Sequence, residues 1–283
     1  MSDLFQQVVQ HCMTNMGSND RNCSICGKLL NPMEIEILGI KRTVGVACPC
    51  ETEQLAKEEK KRSEAERIKR IQAFSDDDQM VPGATFRKEV RPSARKANVF
   101  LRDFAEDVKR WGSRGLYIYG PNGVGKSTLL SAVAVRLREQ GFSVIYTTTN
   151  SLINRIANTE IKAAALHAYK VADVLIVDEI GSDVPAEWRM SDLFEILNAR
   201  QDRLPILFGS NLSIKELEVK YNLKKFNFGK NDNSDGLEKN RGTQLMERVF
   251  GNCIPVKVDG ESQRFEKFEE NVAWANRQVN NHV

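Results

Sequence analysis

Long apolar runs are missing from this sequence. No run of about 18 apolar residues occurs in its 283 residues, whereas a helix that spans a bilayer needs about 20. The first ten residues, MSDLFQQVVQ, also lack the charged, apolar and small-residue order of a secretory signal. We therefore expect no membrane partner and a cytoplasmic location. There, the six cysteines are expected to be thiols or metal ligands rather than disulfides.

A strong net charge is missing as well. The sequence carries 41 basic and 38 acidic residues, which leaves +3. So small an excess neither requires nor excludes nucleic acid, because binding depends on where the charges cluster. The length predicts one domain with a smaller appendage.

What the sequence does contain is a glycine loop at residues 120–128, GPNGVGKST, between an apolar run at 116–119 and an amphipathic run at 129–137. In this strand–loop–helix context the pattern predicts a phosphate site, because backbone N–H groups and the positive end of the helix dipole face an anion. We expect Lys126 to reach the β- and γ-phosphates of ATP and Ser127 to hold Mg²⁺. The alternative is a glycine-rich turn before a helix. The predicted nucleotide contacts are Gly120, Pro121, Asn122, Gly123, Val124, Gly125, Lys126, Ser127 and Thr128.

A second motif follows at residues 174–179, where four apolar residues precede Asp178 and Glu179. The apolar run is typical of a strand buried on both faces of a parallel sheet. Buried carboxylates at its end need compensation, which a Mg²⁺–nucleotide supplies. We expect Asp178 to hold the metal through water and Glu179 to orient or deprotonate the attacking water. A solvated acidic turn is the alternative.

Strands and helices alternate through the rest of this region. We predict strands at 116–119, 142–147, 174–178 and 205–211, with helices at 97–111, 126–139, 160–169 and 186–201. This pattern predicts an α/β fold with a doubly wound parallel sheet and ligands at the carboxyl ends of its strands. Asn211 falls at such an end, where its neutral amide can hold the γ-phosphate and the lytic water. Its alternative role is the N-cap of a helix at 214–217.

Two cysteine pairs, Cys23 with Cys26 and Cys48 with Cys50, bracket a predicted hairpin with strands at 33–38 and 42–46. Paired thiolates suit tetrahedral Zn²⁺, and a segment this short has little core of its own. We therefore predict a zinc-ribbon-like domain held by these four ligands. Free buried thiols are the alternative, as is substitution by His11 or Cys12, which lie on a predicted helix at 3–14. Cys253 is expected in the core.

Residues 51–73 mix acids and bases with strong helix formers, which favours a solvated helix over a basic groove for DNA. We place the domain boundaries at 1–50 for the zinc-ribbon-like domain, 51–75 for the charged helical linker and 76–283 for the large domain. Residues 222–240 are expected to be an exposed loop, and the tail after about 268 is expected to fray unless Val272 and Trp274 dock.

Five segments together carry a family resemblance: 120–128, DEIG at 178–181, GSNL at 209–212, MERV at 246–249 and GESQR at 260–264. They resemble the AAA+ P-loop ATPases of the DnaC/DnaI helicase-loader and IstB group over about residues 80–265. The resemblance implies that Asn211 is the sensor 1 residue. It implies that Arg248 is an arginine finger on a neighbouring subunit's nucleotide and that Arg264 is similar to a sensor 2 residue.

The cysteine domain and helical linker are similar to those of DnaI-type loaders. The resemblance implies that the small domain binds the replicative hexameric DNA helicase, which the ATPase loads onto single-stranded DNA. It also implies self-association or a helicase-bound array, since Arg248 acts between subunits. From family geometry we expect single-stranded DNA to run past helices at 151–168, where Arg155 and Lys162 are candidates for phosphate contacts. The alternative is that these two are surface charges only. The loop at 222–240 is longer than usual in the group.

Two other functions stay open. One is an IstB-like transposition accessory ATPase, although that type usually lacks a cysteine ribbon. The other is a nucleotide-gated binding module with negligible turnover.

Overall fold

The computed structural model describes residues 21–37, 39–86, 92–182, 187–220, 251–260 and 262–280. They divide into two compact units, one ending at Arg67 and the other beginning at Ile68. Several predicted features lie outside the described residues: the helix at 3–14 with His11 and Cys12, the loop at 222–240, and the segment with Arg248. No helix in the described part of the chain is long and apolar enough to cross a membrane.

The small unit contains two antiparallel hairpins and most of a long helix. Strands β1 (Arg21–Asn22) and β2 (Leu29–Leu30) form one hairpin, and β3 (Met33–Ile37) and β4 (Ile40–Val44) form the other. The second hairpin is the predicted one, but its return strand begins two residues earlier. Helix α1 (Pro49–Gln72) extends past the end of this unit. Its exposed ion pairs at helical spacing, such as Lys57 with Glu53 at 3.2 Å, agree with the solvated-helix prediction.

The large unit is built on a five-stranded parallel sheet. Its strands are β5 (Gly115–Tyr119), β6 (Val144–Thr148), β7 (Val174–Ile180), β8 (Ile206–Ser210) and β9 (Cys253–Lys257). The spatial order is β6-β7-β8-β5-β9, and every neighbouring pair is parallel. The first strand therefore lies between the fourth and the fifth. Such a reversal of strand order opens a crevice at the carboxyl edge of the sheet.

Helices cover both faces of this sheet, as predicted. Leu116 and Ile118 of β5 pack into one apolar layer, while Tyr117 packs into the other. This alternation follows from the two-residue period of a strand. The helices of this unit in the described residues are α2 (Pro92–Glu106), α3 (Val108–Trp111), α4 (Lys126–Glu139), α5 (Thr149–Ala157), α6 (Lys162–Val171), α7 (Glu187–Arg200), α8 (Ile214–Lys220) and α9 (Gln263–Asn280).

Two helix predictions were wrong. The helix expected at 97–111 is interrupted at Asp107, whose side chain accepts a hydrogen bond from Arg110 N (3.2 Å) and so caps the separate helix α3. The tail expected to fray after 268 is helical as far as Asn280. It is rich in residues with good helix propensity, which act without tertiary contacts. Trp274 stays 60% exposed, so it does not dock on the described residues.

The segment that follows α1 covers the outer edge of β6. The Ser75 hydroxyl bonds to both the N–H and the carbonyl of Tyr146, each at 3.0 Å. Asp76 is buried and accepts from the Thr147 hydroxyl at 2.7 Å and from the Arg155 guanidinium. Arg155, considered above for DNA contact, is thus held by Asp76, and Lys162 pairs with Asp192 at 2.8 Å. An exposed strand edge invites pairing with other chains, so this cover protects the sheet.

A buried arginine lies near the amino-terminal ends of β7 and β8. Arg200 is 1% exposed and donates to the carbonyls of Tyr169 (2.9 Å), Ala172 (2.7 Å) and Pro205 (2.8 Å). Burial lowers the pKa of this guanidinium to about 9. Its hydrogen bonds join the end of α6 to the segment that enters β8.

We expect Arg200→Met to lower the free energy of unfolding by about 3 kcal/mol, because buried carbonyls would lose their donors. Relief from burying the charge offsets part of that loss. Urea denaturation monitored by circular dichroism measures it. Arg203→Met, at an exposed position three residues on, is the control and should change stability by under about 0.5 kcal/mol. Equal stabilities of the two variants would contradict this structural role.

Candidate functional site

A cavity of about 430 Å³ lies at the carboxyl ends of β5, β7 and β8. Its volume falls within the range of about 300–1,000 Å³ that is usual for small-molecule sites. Most of the residues predicted to bind nucleotide and magnesium meet here. The lining residues are Val81, Asn122, Gly123, Gly125, Lys126, Ser127, Thr128, Asp178, Glu179, Ser210 and Asn211.

The glycine loop joins β5 to α4 and curls because two of its residues have left-handed backbones. Gly123 has φ 78° and Gly125 has φ 98°, a region that glycine enters freely. Gly123 also meets Ser262, since a Cβ added there would lie 2.1 Å from its hydroxyl oxygen. The side chain of Val124 is 5% exposed and packs into the apolar layer around α4, so its predicted contact with the nucleotide would come from its backbone N–H. The loop thereby places the amino end of α4 at the cavity, where its N–H groups can face an anion.

Lys126 connects the loop to the end of β8. Its ammonium group donates to the carbonyls of Gly120 (2.8 Å) and Pro121 (2.7 Å) and to Oδ1 of Asn211 (2.8 Å). The side chain is 7% exposed, so its stem is packed and its charge is confined to the cavity. Lys126 and Asn211, predicted from separate motifs, are therefore in direct contact.

Asp178 is nearly inaccessible, at 2% exposure. Its Oδ2 accepts from the Tyr146 hydroxyl at 2.7 Å, and its Oδ1 accepts from the Glu179 N–H at 2.9 Å. Gly209 makes room for it, because a Cβ there would lie 2.0 Å from Oδ1. The carboxylate thus has a fixed orientation. Asp178 and Ser127 both line the cavity, and oxygen donors of these two kinds suit Mg²⁺.

Glu179 lies on the same cavity because β7 is irregular at this point. Consecutive residues of a regular strand point to opposite faces. Here the pairing of β7 with β8 shifts register between Val177 and Ile180, and Glu179 has a φ of 58°. A bulge of this kind re-aims side chains and is common beside active sites. As a result, both carboxylates line the cavity.

The side chains of the two predicted arginines lie outside the described part of the structure. Arg248 lies outside the described residues, and only the backbone of Arg264 is described, within the first turn of α9. The segment before Arg264 nevertheless reaches the site through Ser262 and Gly123.

Three residues at or near the cavity were not predicted: Val81, Ser210 and Tyr146. Ser210 directly precedes Asn211, and its hydroxyl donates to the Ile180 carbonyl at 2.7 Å, which ties the end of β8 to β7. Val81 follows the linker, and its approach depends on tertiary packing. Nothing in the sequence distinguishes Tyr146 from another aromatic residue of a buried strand. Its hydrogen bond to Asp178 could therefore not be predicted.

The second candidate site is the cysteine cluster of the small unit. The Sγ atoms of Cys23, Cys26, Cys48 and Cys50 all lie within 4.8 Å of one another. The shorter Sγ–Sγ distances run from 3.1 Å between Cys48 and Cys50 to 3.6 Å between Cys26 and Cys48. Four thiolates around Zn²⁺ at 2.3 Å would be about 3.8 Å apart. The donor set and spacing therefore fit a tetrahedral metal centre.

The surroundings of the cluster support this interpretation. The turn from Cys23 to Lys28 is closed by backbone hydrogen bonds, and the Ile25 N–H points at the Cys23 sulfur, 3.4 Å away. Glu51 accepts from the Cys48 N–H at 3.1 Å and from two nitrogens of Arg21. The Arg21 hydrogen bonds hold the pKa of Glu51 at about 2. Among the described residues of the unit, the buried apolar cluster consists of Leu30, Cys23 and Cys48, which is little to hold that part of the fold together.

The fold and the site define a P-loop NTPase of the AAA+ class. The parallel sheet has the strand order given above, a glycine loop follows its first strand, and an acidic pair lies near the end of its third. Comparison with known protein families narrows the class. The chain belongs to the IstB-like ATP-binding protein family, whose model matches residues 103–270.

Known relatives come from replication and transposition. The chain is 25% identical to the replicative helicase loader DnaI of Bacillus subtilis over 93% of this chain and 82% of the relative. It is 30% identical to a putative insertion sequence ATP-binding protein of Sinorhizobium fredii over half of each. A crystal structure of DnaI superimposes with a TM-score of 0.51 and 22% identity, covering 64% of this chain and 90% of that one. A crystal structure of a DNA replication initiation factor superimposes with a TM-score of 0.51 and 20% identity, covering 72% of this chain and 60% of that one. At these identities the two structures bear on the fold alone.

Proposed function

We propose that this protein is an ATP-dependent loader that places the replicative hexameric DNA helicase onto single-stranded DNA. One observation carries the proposal. The similarity to the helicase loader covers 93% of the chain and must therefore include most of the cysteine-bearing unit, whereas the family model matches only residues 103–270. The two units thus occur together in a relative that carries this function in its name.

The cavity residues would divide the work of binding and hydrolysing ATP. Lys126 would donate to the β- and γ-phosphates, and the amino end of α4 would meet the remaining phosphate oxygens. Mg²⁺, held by Ser127 and Asp178, would neutralise phosphate charge. Glu179 would orient or deprotonate the attacking water, and Asn211 would fix that water against the γ-phosphate.

Assembly would depend on ATP through the two arginines. In the proposed mechanism Arg248 reaches the γ-phosphate of a neighbouring subunit, and Arg264 contacts the nucleotide of its own chain. A charge that crosses a subunit boundary couples nucleotide state to association. The active form would then be a self-associated or helicase-bound array, and hydrolysis would release it.

We expect Glu179→Gln to lower ATP turnover by about 100-fold, because general-base catalysis contributes at least that factor. ATP affinity should stay within about twofold, since the amide keeps the volume of the carboxylate and Lys126 is untouched. Single-turnover hydrolysis and equilibrium binding separate the two effects.

Glu139→Gln is the control, because Glu139 is exposed on α4 and pairs with the exposed Arg136 at 3.4 Å. It should hydrolyse ATP like the native chain. Native turnover in Glu179→Gln would remove Glu179 from catalysis. No measurable turnover in the native chain, even with helicase and DNA, would favour a nucleotide-gated binding module.

The small unit offers an apolar surface for a partner. Met33 and Ile40 are 54% and 58% exposed, and the hairpin register places both on one face. Ile25, Leu29 and Val46 of the same unit are also exposed. So many exposed apolar side chains on so small a unit are typical of an interaction site, and we assign it to the helicase.

Co-purification of the full chain with the hexameric helicase of its host, with ATP and Mg²⁺ present, tests the function. The native chain should retain the helicase, and the double variant Met33→Thr/Ile40→Thr should lose it, because threonine keeps strand propensity while removing apolar contact area. Val219→Thr removes an exposed apolar side chain (77% exposed) from the large unit and should behave like the native chain. Failure of the native chain to retain the helicase would overturn the proposal.

A second candidate is an accessory ATPase of transposition. The family model and the Sinorhizobium fredii relative favour it. Retention of a transposase encoded beside this chain, in place of the helicase, would establish it.

A further inference from the structure

Buried hydrogen bonds hold the carboxylate of Asp178. The Tyr146 hydroxyl donates to Asp178 Oδ2 at 2.7 Å, and the Glu179 N–H donates to Oδ1 at 2.9 Å. Tyr146 and Asp178 are both at most 2% exposed. Buried polar groups of this kind are costly unless they are bonded, so these two hydrogen bonds fix the geometry of the carboxylate.

We propose that Tyr146 is a positioning residue that fixes the Asp178 carboxylate for magnesium. This inference rests on the proposed nucleotide function of the cavity. Asp178 can rotate about its Cβ–Cγ bond unless both oxygens are held. The Glu179 N–H holds Oδ1 at 2.9 Å, and the Tyr146 hydroxyl holds Oδ2. With both oxygens held, the carboxylate keeps one plane, and its remaining lone pairs face the cavity.

The direction of this hydrogen bond follows from the groups available. The hydrogen of the Tyr146 hydroxyl has Asp178 Oδ2 as its acceptor, because an ionised carboxylate only accepts.

The hydrogen bond to Asp178 also explains why a tyrosine occupies the middle of β6. Tyr146 belongs to the apolar layer around α4, where a phenylalanine would pack equally well. Only its hydroxyl reaches the site, so Tyr146→Phe removes one hydrogen bond while keeping the aromatic volume. Loss of a residue that hydrogen-bonds to a metal ligand typically lowers the metal affinity by about 10–100-fold.

The experiment measures binding of the fluorescent nucleotide mant-ATP to the full chain, in EDTA and across a Mg²⁺ titration. We expect Tyr146→Phe to raise the half-saturating Mg²⁺ concentration about tenfold and to leave the affinity in EDTA within about twofold. Tyr169→Phe is the matched control, because the buried Tyr169 hydroxyl accepts a hydrogen bond from Arg155 (3.4 Å). This substitution leaves the bond between Tyr146 and Asp178 intact.

Each other result has a defined meaning. A native Mg²⁺ dependence in Tyr146→Phe overturns the positioning role. An equal loss of affinity with and without Mg²⁺ also overturns it, because that result indicates a general packing defect, which thermal unfolding would show as well. Absence of mant-ATP binding by the native chain in either buffer overturns the proposed function together with this inference.

Discussion

Replacing Lys126 with alanine is expected to weaken ATP binding by about a thousandfold. The ammonium group is held at the cavity by Gly120, Pro121 and Asn211, and in the nucleotide complex it would donate to two phosphate groups. Hydrogen bonds to charged groups contribute about 1.5–3 kcal/mol each, and 1.4 kcal/mol corresponds to a factor of ten. Losing two such bonds therefore removes most of the affinity. Equilibrium binding of mant-ATP measures the change.

Two further variants make this result interpretable. Lys126→Met keeps most of the packed stem, so a loss as large as that of the alanine variant would assign the effect to the charge. Lys109→Ala removes an exposed lysine of α3 and should bind as the native chain does. Binding by Lys126→Ala within about tenfold of native would mean that the nucleotide is held elsewhere. The proposed function would then fail.

The parts of the site that lie at strand ends could be predicted from sequence. The runs before Gly120 and Asp178 are apolar throughout, and the run before Asn211 is apolar from Pro205 to Phe208, which is typical of strands covered on both faces. The carboxyl ends of parallel strands meet at one edge, so their terminal polar residues converge without further information. The cysteine cluster could also be predicted from sequence. The members of each pair lie two or three residues apart, and the two pairs bracket a predicted hairpin.

Tertiary features could not be predicted from sequence. The bulge that brings Glu179 beside Asp178 depends on how β7 pairs with β8, and no local pattern marks it. Val81 reaches the cavity only because the segment around Ser75 and Asp76 is bonded along β6. Asp107 ends a helix whose apolar spacing continues to Trp111, since a local cap competes with the helical pattern. In each case a specific contact overrides the periodicity.

Replacing Cys48 with serine is expected to abolish zinc binding and to unfold the small unit. Cys48 is 3% exposed, and its sulfur lies 3.1 Å from that of Cys50 and 3.6 Å from that of Cys26. Structural Zn²⁺ contributes about 10–16 kcal/mol of binding free energy in small domains, and the core around Leu30 cannot replace it. Elemental analysis should find one zinc in the native chain and none in the variant. Amide exchange at residues 21–46 should become fast.

Cys253→Ser is the matched control, because Cys253 is a buried thiol of the large unit and burial raises its pKa to about 12. It should keep the zinc and the protection of the small unit. Cys48→Ser should still bind mant-ATP within about twofold, because the cavity lies in the separate unit beginning at Ile68. Full protection of residues 21–46 without zinc would contradict the metal centre. Loss of helicase binding in Cys48→Ser with ATP binding intact would show that nucleotide and partner are held by different units.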